Sequence, residues 1–270
     1  MNGFYIGDII GNSYAHENES FNEKTKEFPL FTNRSKFSDD TILTFATIDW
    51  LLKKEHTSQA MLKIIKKFYS KFPDTKPTIY GREFAKWIET NPKQSRVSSG
   101  NGGVMRVSPI GWYATTIEEI KELVDKAISP THNSDEAKEA AEVCAISIFM
   151  FRNNIAKKTF IKYMKDNYKY DLNESIDKLR EEYKYTTDAK ETLRPALISV
   201  LQSENFEDAI RNAVSLGGDT DTITSICASI AEAYYQEVPN SLVKEAKSYL
   251  PKYFKDLVGR FKRIVSEKHN

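Results

Sequence analysis

Two short acidic segments, one near each end of the sequence, contain residue types that bind metal ions. They read SDDT at residues 38–41 and DTDT at residues 219–222. Ser38 is a good N-cap residue, so the pattern places Asp39 and Asp40 in the first turn of an apolar helix. Carboxylates at this position suit the helix dipole, so one such segment alone is well explained as a helix cap.

The second segment repeats this arrangement, because Asp219 and Asp221 stand at the start of the most apolar helix pattern in the chain. Gly217 and Gly218, directly before them, allow the backbone to turn sharply. Two close carboxylates repel each other unless a positive charge lies between them. Such pairs at the start of two core helices leave two interpretations open, helix capping and metal binding.

All candidate ligands in the two segments offer hard oxygen donors, namely four carboxylates and the hydroxyl groups of Ser38, Thr41 or Thr222. Oxygen ligands suit Mg²⁺, Mn²⁺ or Ca²⁺ and disfavour Zn²⁺ and Cu²⁺. Four carboxylates exceed the number that one Mg²⁺ usually takes, because Mg²⁺ keeps several waters, so we expect two ions. A two-metal site can supply hydroxide and hold substrate oxygens, which points to hydrolysis.

Helical periodicity dominates the elements that must position these segments, and no strand alternation or hairpin signal appears. Apolar residues cover most of the circumference of Phe37–Lys54, which predicts a largely buried helix. Thr116 and Glu119 form a capping box, and Gly100–Trp112 is predicted as a loop. Without a linker or an internal repeat, we expect a single all-α domain over residues 1–270. Further helices are predicted at 56–72, 134–151, 160–167, 174–183, 192–202, 206–215, 221–235, 242–249 and 257–265.

The composition of the 270 residues, 40% hydrophobic and 29% charged, is that of a globular protein. Its 39 Lys and Arg against 38 Asp and Glu give a net charge of +1, which disfavours nucleic acid and anionic membranes as partners. Cys144 and Cys227 lie in apolar segments and are predicted to be buried free thiols, and no cluster of His and Cys indicates zinc. The chain shows no secretory signal and no apolar window of membrane-spanning length, so we expect a cytoplasmic protein.

Five motifs follow one another along nearly the whole chain. They are GDIIGNSY at 7–14, FSDDT at 37–41, GNGGVMRVSPIGW at 100–112, THN at 131–133 and SLGGDTDT at 215–222. Together and in this order they resemble the ADP-ribosylglycohydrolase family. The resemblance implies an all-α orthogonal helical bundle with a binuclear Mg²⁺ or Mn²⁺ site. It also implies hydrolysis of the N- or O-glycosidic bond between ADP-ribose and its acceptor, with the distal ribose at the metals and water attacking the anomeric carbon.

The same resemblance implies roles for individual residues. Asp39, Asp40 and Asp221 would be catalytic. Gly100–Gly103 would bind the diphosphate, since glycine-rich turns expose backbone N–H groups as an anion nest; by itself, GNGG is also typical of a surface turn. The implied metal ligands are Ser38, Asp39, Asp40, Asp219, Asp221 and Thr222. The implied substrate contacts are Gly100, Asn101, Gly102, Gly103, Met105, His132, Asn133, Gly217 and Gly218, although a lone His before a helix can instead serve as a hydrogen-bonding residue of the helix start.

The sequence departs from the family pattern at two positions. Family members often carry a Glu shortly after the N-terminal GDxxG, where it acts on the acceptor or the water. Counted from GD, this slot holds Ala15; counted back from KTKEFPLF, it holds Glu19. We therefore expect Glu17 or Glu19 to supply the carboxylate, with a solvated loop residue as the alternative. Ser134 is the second departure, since many bacterial relatives have a further His after THN.

Two other functions stay open at this point. A non-catalytic ADP-ribose-binding protein would explain the displaced Glu while keeping the metal ligands. A metal-dependent phosphohydrolase usually brings paired His-Asp motifs, and the histidines have no such partners in sequence; they are His16, His56, His132 and His269. We expect the protein to act as a monomer on an ADP-ribosylated protein or another ADP-ribosyl conjugate.

Overall fold

The computed structural model describes residues 1–15, 24–73 and 79–269. These residues form fourteen α-helices and one turn of 3-10 helix at Val104–Arg106, with an isolated antiparallel bridge between Gly100 and Asp188 in place of any strand. The predicted all-α fold is thereby confirmed. Helices α1 to α14 span Gly3–Asn12, Asp39–Leu51, Ser58–Lys71, Arg82–Glu89, Ser108–Tyr113, Ile117–Ile128, Asp135–Arg152, Lys157–Tyr168, Ile176–Glu182, Ala189–Leu201, Phe206–Leu216, Thr220–Tyr235, Asn240–Ser248 and Lys252–His269.

Helix α2 is buried along its whole length after its first residue, as its apolar circumference predicted. Phe254 of α14 stacks on Phe45 of α2 with ring centroids 4.1 Å apart, and Phe4 of α1 meets the same ring edge-on at 5.1 Å. The body of α2 is therefore packed among other helices. Cys144 and Cys227 are buried and unpaired, as predicted, and no helix in the described ranges has the length and apolar composition to cross a membrane.

Side-chain caps begin several helices where the sequence placed them. Thr116 accepts a hydrogen bond from the backbone N–H of Glu119, and Ser134 accepts one from that of Ala137. The predicted capping box differs in one bond, because the Glu119 carboxylate accepts from the backbone N–H of Thr115 at 2.7 Å, one residue before the cap. The start of α6 is nevertheless capped by two side chains, those of Thr116 and Glu119.

Three helices were missed by the sequence patterns. The segment 100–112, predicted as a loop, contains the 3-10 turn and α5, whose Gly111 packs so closely that a Cβ there would lie 2.5 Å from the carbonyl oxygen of Ala145. Helix α1 was missed because it contains four glycine and asparagine residues in ten, which are poor helix formers in isolation. Helix α4 is short, and its amphipathic pattern covers eight residues. Tertiary packing overrides weak intrinsic propensity in α1 and α5.

Helix α12 lies at the centre of the molecule, and α1 lies directly along it. A Cβ at Gly3 would lie 2.2 Å from the carbonyl oxygen of Ala228, and one at Gly7 would lie 2.2 Å from that of Thr224. At Gly11 the corresponding distance, to the carbonyl oxygen of Thr220, is 2.5 Å. Glycines four residues apart thus allow the two helix backbones to touch, which no larger side chain permits.

We expect Gly7→Ala to destabilise the protein by about 3 kcal/mol or more, because the added methyl group meets backbone atoms that cannot rotate away. Urea unfolding followed by circular dichroism measures this change. Gly259→Ala is the matched control, since a Cβ at this exposed glycine of α14 meets nothing within 4 Å. The control should gain about 0.5–1 kcal/mol from helix propensity. Equal effects of the two substitutions would contradict the packing of α1 on α12.

Candidate metal centre and cleft

The two acidic segments, 182 residues apart, meet in the folded chain. Ser38 caps α2 by accepting a hydrogen bond from the Asp40 backbone N–H at 3.2 Å. Across the interface, the Thr222 hydroxyl at the start of α12 donates to Asp40 Oδ2 at 3.1 Å. The N-terminal ends of two core helices therefore point their acidic residues at each other.

A third acidic residue, Asp8 of α1, belongs to the same cluster and was given no role from the sequence. It is fully buried, and one ligand atom each from Asp8, Asp40 and Asp221 lie within 4.8 Å of one another. The signal was present in the sequence, because Asp8 is the single charged residue of an apolar helix, GFYIGDIIGN. A buried carboxylate in an apolar helix needs polar partners, but the sequence pattern of the helix does not show which residues these partners are.

Capping accounts for part of the acidic cluster. Ser38 is a true cap, whereas Asp219, the N-cap residue of α12, makes no cap hydrogen bond with its side chain. Asp40 Oδ1 is buried and has no hydrogen-bond partner among the described residues, and neither has Thr41 Oγ1. Buried polar atoms are seldom left without a partner, and a bound cation would supply one for Asp40 Oδ1.

The electrostatics of the cluster also call for a positive charge. Burial, and then the charge of Asp221, raises the pKa of Asp8 to about 7 and that of Asp219 to about 8. The pKa values of Asp39 and Asp40 are raised well above the usual range, first by burial and then by the neighbouring carboxylates. Each carboxylate destabilises the ionised form of the others, and a divalent cation among them would reverse this effect.

The donor chemistry fits a hard divalent cation. The cluster offers only carboxylate and hydroxyl oxygens, it contains an unpartnered buried oxygen, and it holds more negative charge than the surrounding side chains neutralise. The three carboxylates of Asp8, Asp40 and Asp221 are close enough to share such an ion. Ser38 therefore caps α2, and a bound divalent cation would account for the buried carboxylates that capping does not explain.

The glycine-rich loop at 100–103 is joined to the acidic cluster by Asn101. The Asn101 side-chain amide donates to Asp219 Oδ2 at 2.7 Å and to the Thr192 hydroxyl at 3.2 Å. Its backbone N–H donates to the Thr187 carbonyl at 2.8 Å, beside the bridge between Gly100 and Asp188. The loop thus has a fixed position relative to the carboxylates.

His132 forms the floor beneath this loop. It is 6% exposed, and a Cβ at Gly102 would lie 3.0 Å from its Nε2 atom. Burial, assisted by the positive charges of Arg106 and Arg96, lowers the pKa of His132 well below its usual value, so the ring is neutral. Its Nδ1 atom lies 2.8 Å from the Thr131 hydroxyl. The ring therefore shapes and supports the loop as a neutral polar surface.

A cleft of about 930 Å³ runs over the carboxylates and the glycine-rich loop. Its walls include residues 33–36, residues 79–84 and the exposed Tyr185. The predicted site residues that line it are Ser38, Asp39, Gly100, Asn101, Gly102, Met105, His132, Asp219, Asp221 and Thr222. A cleft of this size is typical of a small-molecule site with a few convergent polar groups.

Other predicted site residues lie behind the wall or outside it. Asp40 is buried beneath the lining, and Gly103 packs on the His132 side chain. Gly217 and Gly218 have φ values of 74° and 77°, which produce the predicted sharp turn between α11 and α12. The backbone N–H of Asn133 donates to the Arg96 carbonyl oxygen at 3.1 Å, and Asn133 is not among the lining residues of the described cleft.

The candidate glutamates Glu17 and Glu19 lie outside the described residues. Ala15, which occupies the other candidate slot, lines the cleft.

Comparison with known proteins shows consistent similarities. The profile of the ADP-ribosylglycohydrolase family matches residues 1–267. ADP-ribosylarginine hydrolase Tri1 of Pseudomonas putida is 26% identical over 51% of this chain, and the match spans 39% of the length of Tri1. Human ADP-ribosylhydrolase ARH3 is 23% identical over 92% of this chain and 88% of its own length. A solved structure described as an ADP-ribosylglycohydrolase-related protein complex has a TM-score of 0.72 at 21% identity, covering 97% of this chain and 95% of that one.

Proposed function

Because the chain belongs to the ADP-ribosylglycohydrolase family, we propose that it hydrolyses the N- or O-glycosidic bond between ADP-ribose and an acceptor, using two Mg²⁺ or Mn²⁺ ions. The observation that carries this proposal is the convergence of Asp8, Asp40 and Asp221 from three core helices, beside a large cleft that Asp221 lines. The unpartnered Asp40 Oδ1 supports a cation at this point.

Two divalent ions, when bound, would supply hydroxide at neutral pH and polarise the sugar oxygens. Ligands from both helix starts would hold them: Ser38, Asp39, Asp40, Asp219, Asp221 and Thr222. Asp39 and Asp221 line the cleft and would face the substrate, whereas Asp40 would bind from beneath. Glu17 or Glu19 would act on the acceptor or the water.

The glycine-rich loop would bind the diphosphate through part of its backbone. The Gly100 N–H already donates to the Ser98 hydroxyl, and the Asn101 N–H to the Thr187 carbonyl. Gly102 lines the cleft, and in the described chain its N–H group donates to no other group, so it is the amide available to an anion. Of the four residues of the loop, Gly102 is therefore the one whose backbone we expect to contact the diphosphate.

The charge of the cleft away from the carboxylates also suits a phosphorylated ligand. Lys36, Arg82 and Arg96 line it, and none of them forms an ion pair within the described residues. Arg96 is held beside His132 because its backbone N–H donates to the Pro130 carbonyl at 3.0 Å. Cationic side chains without protein partners are available to phosphate oxygens.

An assay on several linkages tests the proposal. The protein is incubated with proteins ADP-ribosylated on Arg, on Ser and on other acceptors, in Mg²⁺, in Mn²⁺ or in EDTA, and released ADP-ribose is quantified. We expect release from at least one linkage in Mg²⁺ or Mn²⁺, and at least a hundredfold less in EDTA, because the metal contribution to such reactions is several kcal/mol. Cleavage that survives EDTA would contradict the two-metal proposal.

Binding without cleavage is the competing function, and calorimetry with free ADP-ribose separates it from hydrolysis. If ADP-ribose binds and no linkage is cleaved, the protein is a binding member of the family.

A further inference from the structure

Asp8 accepts three hydrogen bonds, and all three donors belong to the first turn of α2. Asp8 Oδ2 accepts from the backbone N–H groups of Ser38 at 2.9 Å and Thr41 at 3.1 Å. Asp8 Oδ1 accepts from the Ser38 hydroxyl at 2.7 Å. A carboxylate of α1 therefore caps α2 from outside, in addition to the cap that Ser38 itself provides.

The Ser38 hydroxyl has one proton and two carboxylates within reach. Asp8 Oδ1 is 2.7 Å away and Asp40 Oδ2 is 3.2 Å away, so the shorter, charge-assisted bond to Asp8 takes the proton. One lone pair of Ser38 Oγ accepts the Asp40 backbone N–H at 3.2 Å. A hydroxyl oxygen has two lone pairs, so the other one stays available to an ion.

Asp8 is held in this position by the packing of its own helix. Gly7 and Gly11, before and after it on α1, touch the backbone of α12. At the N-terminal end of α1, Glu232 of α12 accepts from the backbone N–H groups of Asn2 at 2.6 Å and Gly3 at 2.8 Å. Close backbone packing and these hydrogen bonds therefore fix the register of α1 along α12, and with it the place of the Asp8 carboxylate beside Ser38.

We propose that Asp8 is a positioning residue of the metal centre, which holds the proton of the Ser38 hydroxyl and thereby turns a lone pair of Ser38 Oγ towards a bound ion. This inference rests on the proposed function, in which Ser38 is a metal ligand. Partners of this kind orient the ligand and raise its basicity, and removing one typically weakens metal binding by about 10- to 100-fold. Three hydrogen bonds fill most of the lone-pair positions of the Asp8 carboxylate, so Asp8 acts on the ion through Ser38, although it lies within the acidic cluster.

A double-mutant cycle in Mn²⁺ affinity tests the role of Asp8. Wild type, Asp8→Asn, Ser38→Ala and the double variant are titrated with Mn²⁺, and the free ion is followed by electron paramagnetic resonance. Asn has the shape of Asp, but only one of its two terminal atoms accepts hydrogen bonds. It therefore cannot accept from both the backbone N–H groups of α2 and the Ser38 hydroxyl, and it lacks the charge that holds the Ser38 proton. We expect each single variant to bind Mn²⁺ about 10-fold or more weakly, and the double variant to be no weaker than Ser38→Ala.

Two further variants keep the test decisive. Asp49→Asn removes another buried carboxylate of α2, one paired with Lys53 and Lys67 outside the cleft, and should leave Mn²⁺ affinity unchanged. If Asp8→Asn does not fold, Asp8→Glu replaces it, because the longer side chain displaces the acceptor from the Ser38 hydroxyl while retaining the charge. Circular dichroism and thermal melting show that each titrated variant is folded.

The outcomes separate the two proposals. Additive losses in the cycle would show that Asp8 acts independently of Ser38, as a direct ligand would, and would overturn the positioning role. Unchanged Mn²⁺ affinity in Asp8→Asn would overturn it as well, while leaving the two-metal function in place. A wild-type protein that binds no Mn²⁺ would contradict both the positioning role and the proposed function.

Discussion

Replacing Asp221 by Asn should lower the rate of ADP-ribosyl hydrolysis in Mg²⁺ by about 10³-fold, since a metal ion contributes several kcal/mol to such a transition state. Asp221 is in the carboxylate cluster and lines the cleft. Its Oδ1 atom accepts the Thr222 backbone N–H at 3.0 Å, and its Oδ2 atom accepts from the Asn12 amide at 3.3 Å. Asn fits the same space, so the change removes a charge and leaves the fold in place.

The measurement is the initial rate of ADP-ribose release at saturating substrate, with calorimetry of Mn²⁺ on the same samples. Asp208→Asn is the matched control, because Asp208 lies in the first turn of α11 and pairs with Lys26 outside the cleft. The control should keep the wild-type rate. A rate for Asp221→Asn within about tenfold of the wild-type rate would contradict a catalytic role for this carboxylate.

The stabilisation by Mg²⁺ should increase steeply with pH between about pH 6.5 and pH 8. In the folded, metal-free protein the pKa of Asp8 is raised to about 7 and that of Asp219 to about 8, well above the ordinary pKa of an Asp side chain. The folded state therefore holds more protons on these groups than the unfolded state does, and their contribution to stability falls as pH rises through this range. Because metal binding requires the ionised carboxylates, Mg²⁺ offsets this loss of stability, and its stabilising effect increases as the pH rises.

Thermal melts in EDTA and in Mg²⁺ at several pH values measure this effect. Subtracting the melting temperature in EDTA from that in Mg²⁺ at each pH cancels the contribution of titratable groups outside the acidic cluster. If two protons are involved, the change over the range is a few kcal/mol, which corresponds to roughly 10 °C in the Mg²⁺-induced shift. A shift that is constant or decreases with pH would contradict a metal site built from these carboxylates.

The helical pattern and the acidic segments show how far the sequence could be interpreted. Helix α2 was predictable because its apolar residues surround it and Ser38 marks its start. Signals of this kind depend on residues within one or two helical turns, so they can be recognised in a single sequence. Helix α1 was not predictable, because its glycines lower its propensity and their use appears only when the backbone of α12 lies against them.

The candidate site divides in the same way. The metal-binding interpretation of the two acidic segments depended on residue types and helix starts, and the structure brings Asp40 and Thr222 to within 3.1 Å as that interpretation requires. The participation of Asp8 was not predicted, although its motif was noticed. An Asp within an apolar helix pattern indicates that this carboxylate needs polar partners, but the pattern does not indicate which helix supplies them.

By itself the sequence determined the fold class, the starts of the helices that carry the acidic residues, and the hard-oxygen character of the proposed ligands. Each of these follows from residue type and from spacing within a few turns of helix. Only the tertiary structure decided that α1 packs along α12 through Gly7 and that Asp8 thereby reaches Ser38. It alone also showed that Asp40 Oδ1 is buried with no partner among the described residues. These depend on contacts between segments some 30 to more than 200 residues apart, and such pairings are set by close packing of whole helices.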